Sequence, residues 1–468
     1  MKKKTVYEDI GITSGDLWRS IWNLSWPMLL MMVFFFVVGL TDVYVAGLIN
    51  ADIQAAIGFI SQLYFLFVIV GNAISIGTVS LFSRAIGSDD FHRALWIARH
   101  SIISGTVLAL FLSVILFLFS GSVIRFAGLP AHIHAVATVF LRIFACSLLP
   151  HYLLIISNAV FRASGEVKKP LVTMGIVSAV NIAGDFGFVF GFFPFPRLGY
   201  AGIAVATALS AMIGVAINAG FLTRRWWRDI YTAPWSFSFR TVKNLIWVSW
   251  PSAVLQVAWN AGSIVLYGIL ARLGDESITA LASLTNGLRI EAIIYLPPFA
   301  FNMAASVLIG QNLGAGKIRR AEETAWKIGC AAMMFVAGMA VIIFIGAEFF
   351  ASLVAANSDV IQETARYLRI NMIAEPFMAL GIVMGGSLQG AGDTRGTMWV
   401  IIRAMWLIRL PLAYYLVVVA GLGATGAWVA MTLSMTVQGL LMARRFQQGV
   451  WKTLRFDDSD MPDKKYYG

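Results

Sequence analysis

The chain has 468 residues, 59% of them hydrophobic and only 13% charged, which excludes an ordinary soluble domain. A mean hydropathy of +0.78 comes from many separate apolar runs, each near the ~20 residues that cross a bilayer as helix, and the short alternating segments of a membrane β-barrel are absent. The formal charge of +11 does not point to nucleic acid, because the basic residues alternate between crowded and nearly empty loops, the pattern of membrane topology.

Lys2, Lys3 and Lys4 open the chain, and no small-residue cleavage site follows the first apolar run, so that run reads as a retained span and not a signal peptide. Apolar patterning predicts twelve spans: 20–48, 54–83, 96–120, 131–161, 170–193, 200–223, 244–272, 277–310, 322–347, 358–388, 397–419 and 424–443. One set of loops carries Arg84, Arg93 and Arg99; Arg162, Lys168 and Lys169; Arg224, Arg225, Arg228, Arg240 and Lys243; Lys317, Arg319, Arg320 and Lys327; and Arg395. The tail adds Arg444, Arg445, Lys452, Arg455, Lys464 and Lys465, whereas the alternate loops hold only Arg125, Arg197, Arg272 and Arg366. The asymmetry predicts that both termini face the cytoplasm of a cell whose inner membrane the chain spans.

The expected layout is a cytoplasmic segment 1–19, a six-helix bundle 20–223, a linker 224–243, a second bundle 244–446 and a cytoplasmic tail 447–468. Trp226, Trp227 and Trp235 suit a linker helix lying in the membrane interface. Cys146 and Cys330 fall in apolar runs of different halves and read as packing residues, with no disulfide framework or metal-ligand cluster. Pro27, Pro251, Pro297, Pro298 and Pro376 lie within spans, where proline removes a backbone bond and kinks the helix.

The two halves repeat. Ser25-Trp26-Pro27 recurs as Ser249-Trp250-Pro251, Leu141-Arg142-Ile143 as Leu368-Arg369-Ile370, and Ala85-Ile86-Gly87 as Asn312-Leu313-Gly314. The turn Phe161-Arg162-Ala163-Ser164-Gly165-Glu166 matches Leu388-Gln389-Gly390-Ala391-Gly392-Asp393, and Gly202 and Ser210 match Gly426 and Ser434. A nearly constant offset marks tandem copies of six spans. An even number of spans gives both copies the same orientation, hence an all-α membrane protein of two six-helix bundles related by a parallel pseudo-twofold repeat. A cleft between rocking bundles is where a small organic substrate would bind.

An ionisable group near the bilayer centre costs roughly 2.5–3.5 kcal/mol on the lenient insertion scale, so each one needs a reason. In the first half Asp42 and Asp185 lie at similar depth, and Asn181, four residues before Asp185, shares its helix face. Thr207 is about equally deep. Two neighbouring carboxylates repel in a low dielectric unless a proton or a hard cation such as Na+ lies between them, and oxygen ligands suit either. The plain structural alternative is that these residues only hydrogen-bond helices together. In the second half Leu266 replaces Asp42, and Arg409 or a neighbour replaces Asp185. The charges expected to be buried there are Arg289, Glu291, Glu375, Arg403 and Arg409, with Glu291 and Arg409 as a structural ion pair or, alternatively, Glu291 in a direct transport role.

The Trp26-Pro27 start of the first span, Thr41-Asp42 near its end, Gly310-Gln311-Asn312-Leu313-Gly314 and the two glycine turns after the fourth and tenth spans resemble the multidrug and toxic compound extrusion (MATE) family, mainly its DinF-like branch. The resemblance covers about residues 15–446. It implies a secondary antiporter that exports organic, cationic or amphipathic, solutes against H+ or Na+, with no cofactor. It also implies that Asp42, Asn181, Asp185 and Thr207 bind the coupling ion. The family pattern has a tyrosine where this chain has Phe140, so one hydroxyl is missing, and Asn158 matches a further family position. Trp259 and Met378 stand where another, NorM-like branch keeps second-half carboxylates, which argues against that sodium site.

A rival within transport, a flippase for lipid-linked saccharides, would favour a strongly basic cleft over buried carboxylates. An enzyme is not expected, since His92, His100, His132, His134 and His151 are scattered without catalytic spacing. The glycine turns lack the lysine of a phosphate loop. The expected partners are the small organic substrate and membrane lipids, with no nucleic acid and a monomeric chain.

Overall fold

The computed structural model describes residues 12–126, 131–192, 194–232, 237–454 and 456. Lys2, Lys3, Lys4, Trp235, Arg455, Lys464 and Lys465, singled out above, lie outside them. Every regular element among the described residues is helical. Eleven helices are long and apolar enough to cross a membrane, and one bent pair makes a twelfth span. They are α1 (Leu17–Ile49), α2 (Ala51–Gly87), α3 (Phe91–Phe126), α4 (His134–Ala163), α5 (Lys168–Phe190), α6 (Ala201–Leu222), α7 (Phe239–Leu270), α8 (Ser277–Gly314) and α9 (Ile318–Ile345). α10 is the bent pair Ser358–Asn371 and Glu375–Gly390, α11 is Thr394–Val419 and α12 is Gly423–Gln447. Several helices outrun the apolar segments that predict them. α2, at 37 residues, is roughly 55 Å long against a hydrocarbon core of about 30 Å, so its ends stand in the headgroups or beyond.

The prolines act unevenly. Pro27, Pro251, Pro297 and Pro298 sit inside continuous helices, as does Pro150. At Pro376 the expected kink is a full break: the two parts of α10 meet at 58°, and Pro376 opens the second part. A first-turn proline loses nothing there, because its missing N–H would have no intrahelical partner. α11 carries two π-helical stretches, Arg403–Arg409 and Tyr415–Val419, on either side of Pro411, where lost backbone bonds favour a looser coil.

The chain forms two compact units, one with Leu30–Ala253 as its body, the other built from Val254–Arg455 and residues 12–29. The division therefore does not follow the linker. It falls inside α1 and α7, two residues past Pro27 and Pro251 respectively. In the first unit α4 packs against α2, α3 and α6, and α5 lies along α6. In the second, α10 packs against α8, α9 and α12, and α11 lies along α12. The same pattern, position by position, is the tandem repeat seen as packing.

Three expectations about peripheral segments need correction. Trp227 is fully buried, stacked on Phe82 with ring centroids 6.1 Å apart and edge-on to Phe161 at 5.1 Å. It anchors the linker in the first unit, since its indole N–H donates to Glu166 at 3.2 Å. Arg99, read as a loop cation, is instead a buried residue of α3 whose Nε donates to the Ile230 carbonyl at 3.0 Å. Cys146 and Cys330 are exposed on their helices and do not pack the core. Within the second unit the start of the chain is strapped down, with Ile12 buried and Lys317 Nζ donating to the Thr13 carbonyl at 2.9 Å.

Candidate functional site

In the first unit α5 and α6 approach closely because small residues face each other. A Cβ on Gly184 would stand 2.9 Å from that of Ala206, and one on Gly202 would stand 2.8 Å from the Phe188 carbonyl carbon. Backbones this close bring Asn181 and Asp185 of α5 against Thr207 of α6. Asn181 Nδ2 donates to Thr207 Oγ1 at 3.3 Å, and Thr207 Oγ1 in turn donates to the Ile203 carbonyl at 3.1 Å. Asp185 is 0% exposed and Asn181 1%. From α1, the Asp42 carboxyl adjoins that of Asp185.

The electrostatics follow from what is missing from this set. Asp42 Oδ1, both Asp185 oxygens and Asn181 Oδ1 are buried acceptors without a hydrogen-bond donor. An unpartnered buried polar atom costs about 1–3 kcal/mol, more if charged. Four such oxygens on neighbouring side chains make a place that a proton or a hard cation would stabilise, and oxygen-only donors fit Na+ as well as H+. Among the described residues no group of three or more His, Cys, Asp or Glu has metal-holding geometry.

One residue expected at this site is held elsewhere. Asn158 Oδ1 accepts from Asn218 Nδ2 at 2.9 Å, and Asn218 also binds Ser157 at 2.7 Å and Thr173 at 2.8 Å. Thr173 is two turns before Asn181 on α5, roughly 12 Å along the axis, so Asn158 belongs to a separate, well-paired brace of α4, α5 and α6. Phe140, fully buried, stands edge-on to Phe144 at 4.8 Å, and Phe144 stacks on Tyr64 at 4.6 Å. Its place is in an aromatic layer between α2 and α4.

The second unit holds another carboxyl centre, arranged differently from the expectation. Tyr295, four residues after Glu291 on the same face of α8, has its hydroxyl 3.3 Å from Glu291 Oε2 and 3.1 Å from Glu375 Oε1. A hydroxyl has one proton and cannot donate to both carboxylates at once. Tyr367 lies beside Glu291 and is fully buried. The expected Glu291–Arg409 ion pair is absent. Arg409 Nε donates to Ser434 Oγ at 2.8 Å, and its guanidinium lies over the Trp259 ring at 5.1 Å. A hydroxyl and a π-face hold the buried cation there, with Glu291 and Glu375 near enough to act on its charge without touching it. Arg289 and Arg403, also expected to be buried, are exposed on α8 and α11, where a long side chain can leave the core. Tyr295 was missed although its signal is plain, an ionisable residue and a hydroxyl at i and i+4.

The fold is thus a helical membrane protein of two six-span halves, with carboxyl centres buried in each, the architecture of a transporter. The family model described as MatE matches the chain twice, over residues 27–186 and 251–415, and the chain belongs to that family. It is 25% identical over 456 residues to the "Uncharacterized transporter YisQ" of Bacillus subtilis, covering 96% of this chain and 98% of that one. It is 23% identical over 441 residues to a "Probable multidrug resistance protein NorM" of Thermotoga maritima, covering 93% and 94%. A crystal structure of a MATE protein in the bent conformation superposes with a TM-score of 0.88 at 21% identity, covering 96% of this chain and 99% of that one. That likeness shows the fold.

Proposed function

We propose that this chain is an antiporter of the inner membrane, with both termini in the cytoplasm, that exports small organic cations or amphipathic solutes in exchange for H+ or Na+ by alternating access. The observation that carries the reading is the set of four donor-less oxygens on Asp42, Asn181 and Asp185. The Asn158–Asn218 brace, by contrast, has its side-chain oxygens paired. An exchanging cation supplies the missing positive charge in one state and leaves it absent in the other. Occupancy of the site then decides which conformation is the more stable, and an ion gradient drives export through that difference. Names of relatives such as the Thermotoga maritima NorM support multidrug substrates.

The test is uptake of a fluorescent organic cation into vesicles that contain the purified protein, with a pH gradient or a Na+ gradient imposed separately. One gradient should drive accumulation and the other should not, which identifies the ion. Accumulation independent of both would refute ion-coupled antiport. Flipping of a lipid-linked saccharide in the same vesicles would favour the rival reading.

A further inference from the structure

We propose that the second unit binds the phosphate of an anionic phospholipid through Arg403 and Arg444, beside Trp399, where α11 begins and α12 ends. Four arginines, Arg395, Arg403, Arg444 and Arg445, converge with Trp399 and Leu441 on a cavity of about 370 Å³. Arg445 is committed: its guanidinium grips Asp393 at 2.8 and 3.2 Å, and Asp393 also caps α11 by accepting from Gly396 N at 3.0 Å. A side chain at position 396 would collide with this fork, since a Cβ there would stand 2.5 Å from Arg445 Nε. Arg395 has a contact of its own as well. Arg403 and Arg444 are exposed, and neither side chain forms a hydrogen bond or ion pair with a described residue.

The end of a helix explains Arg444 and Arg445, because cations favour the negative pole of the α12 dipole. It does not explain Arg403. Nine residues after Thr394, Arg403 stands roughly 13 Å along α11, within the apolar span. An exposed arginine at that depth is unfavourable unless its head reaches an anion or water. Arg403 lines this cavity together with Arg444, and two neighbouring cations whose side chains have no partner among the described residues favour a shared anion.

Phosphate fits the planar donors of arginine, often two at a time. The exposed indole of Trp399 and the apolar wall of Val400 and Leu441 favour a lipid over a soluble anion, since they offer a surface to the first acyl carbons. Basic pockets between spans near a membrane surface are suited to such headgroups.

The experiment is native mass spectrometry of the purified full-length protein with equal amounts of phosphatidylglycerol and phosphatidylcholine. Wild type should retain phosphatidylglycerol preferentially. R403Q/R444Q should retain it roughly ten- to thirtyfold less, R403K/R444K should fall between, and R125Q should match wild type. Glycerol phosphate at matched concentration should not displace the lipid. Equal retention of the two lipids by wild type would overturn the proposal, as would unchanged retention by R403Q/R444Q. Displacement by glycerol phosphate would show an aqueous anion site instead. Should R403Q/R444Q fail to fold, the wild-type lipid preference and the glycerol phosphate competition decide the matter.

Discussion

At Asp42 a charge can be separated from a shape. Asp42→Asn keeps the outline and adds an N–H donor among four oxygens that lack one, so a gain of about 1 kcal/mol offsets any loss and the melting temperature should hold or rise. Gradient-driven export should nevertheless vanish, as it should for Asp185→Asn, because neither amide can take up and release the ion. Wild-type export by both variants, measured in vesicles beside a thermal melt, would refute the coupling role. The second unit offers a contrast. Tyr295→Phe strips the shared hydroxyl from Glu291 and Glu375 and should cost about 1–3 kcal/mol of stability, whereas Glu375→Gln, which carries its own donor, should be tolerated. Thermal melts of the two variants read the difference directly, and an unshifted Tyr295→Phe melt would show that the hydroxyl bridges nothing.

Among the helices, contact distance decides more than hydropathy. Gly439 of α12 lets the Phe377 carbonyl of α10 approach to 2.1 Å from where a Cβ would stand, and Gly390 does the same for the Ser306 carbonyl of α8. Backbone atoms cannot rotate away, so Gly439→Ala must push α10 and α12 apart, at about 1–3 kcal/mol. Gly338 of α9 has nothing within 4 Å of its missing Cβ, and alanine there should add roughly 0.5–1 kcal/mol through helix propensity. Melting temperatures shifted in opposite directions are expected. A Gly439→Ala protein as stable as wild type would mean the α10–α12 contact is looser than drawn.

For the molecule as a whole, the alternation of basic loops predicts which ends face which compartment. In a background with Cys146 and Cys330 replaced by serine, single cysteines at Arg197 and Leu422 should react with an impermeant maleimide added outside intact cells. One at Gly316 should react only after the cells are opened. The reverse pattern would invert the topology and with it the direction of export. Replacing Arg125 or Arg197 by glutamine should leave transport nearly intact, since among the described residues the Arg125 side chain donates only to Ser122, at 3.4 Å, and a cation in a loop predicted to lie outside is expected to take no part in the coupling. A complete loss in either would show that these loops take part.

Twelve helical spans and the tandem repeat were legible in the sequence because both follow from local chemistry: backbone groups in lipid must be satisfied within each helix, and copied segments keep their turns. That Asp42, Asn181, Asp185 and Thr207 come together was legible as well, since depth along a helix is counted in residues and i, i+4 spacing fixes a face. Which faces meet is another matter, set by the rotation and approach of whole helices. Hence Asn158 turned to Asn218, Arg409 to Ser434 and Trp259 instead of Glu291, and Arg289 and Arg403 outward from the core. The break in α10 and the division of α1 and α7 between two units likewise depend on packing around a proline, which residue identity alone permits but does not impose.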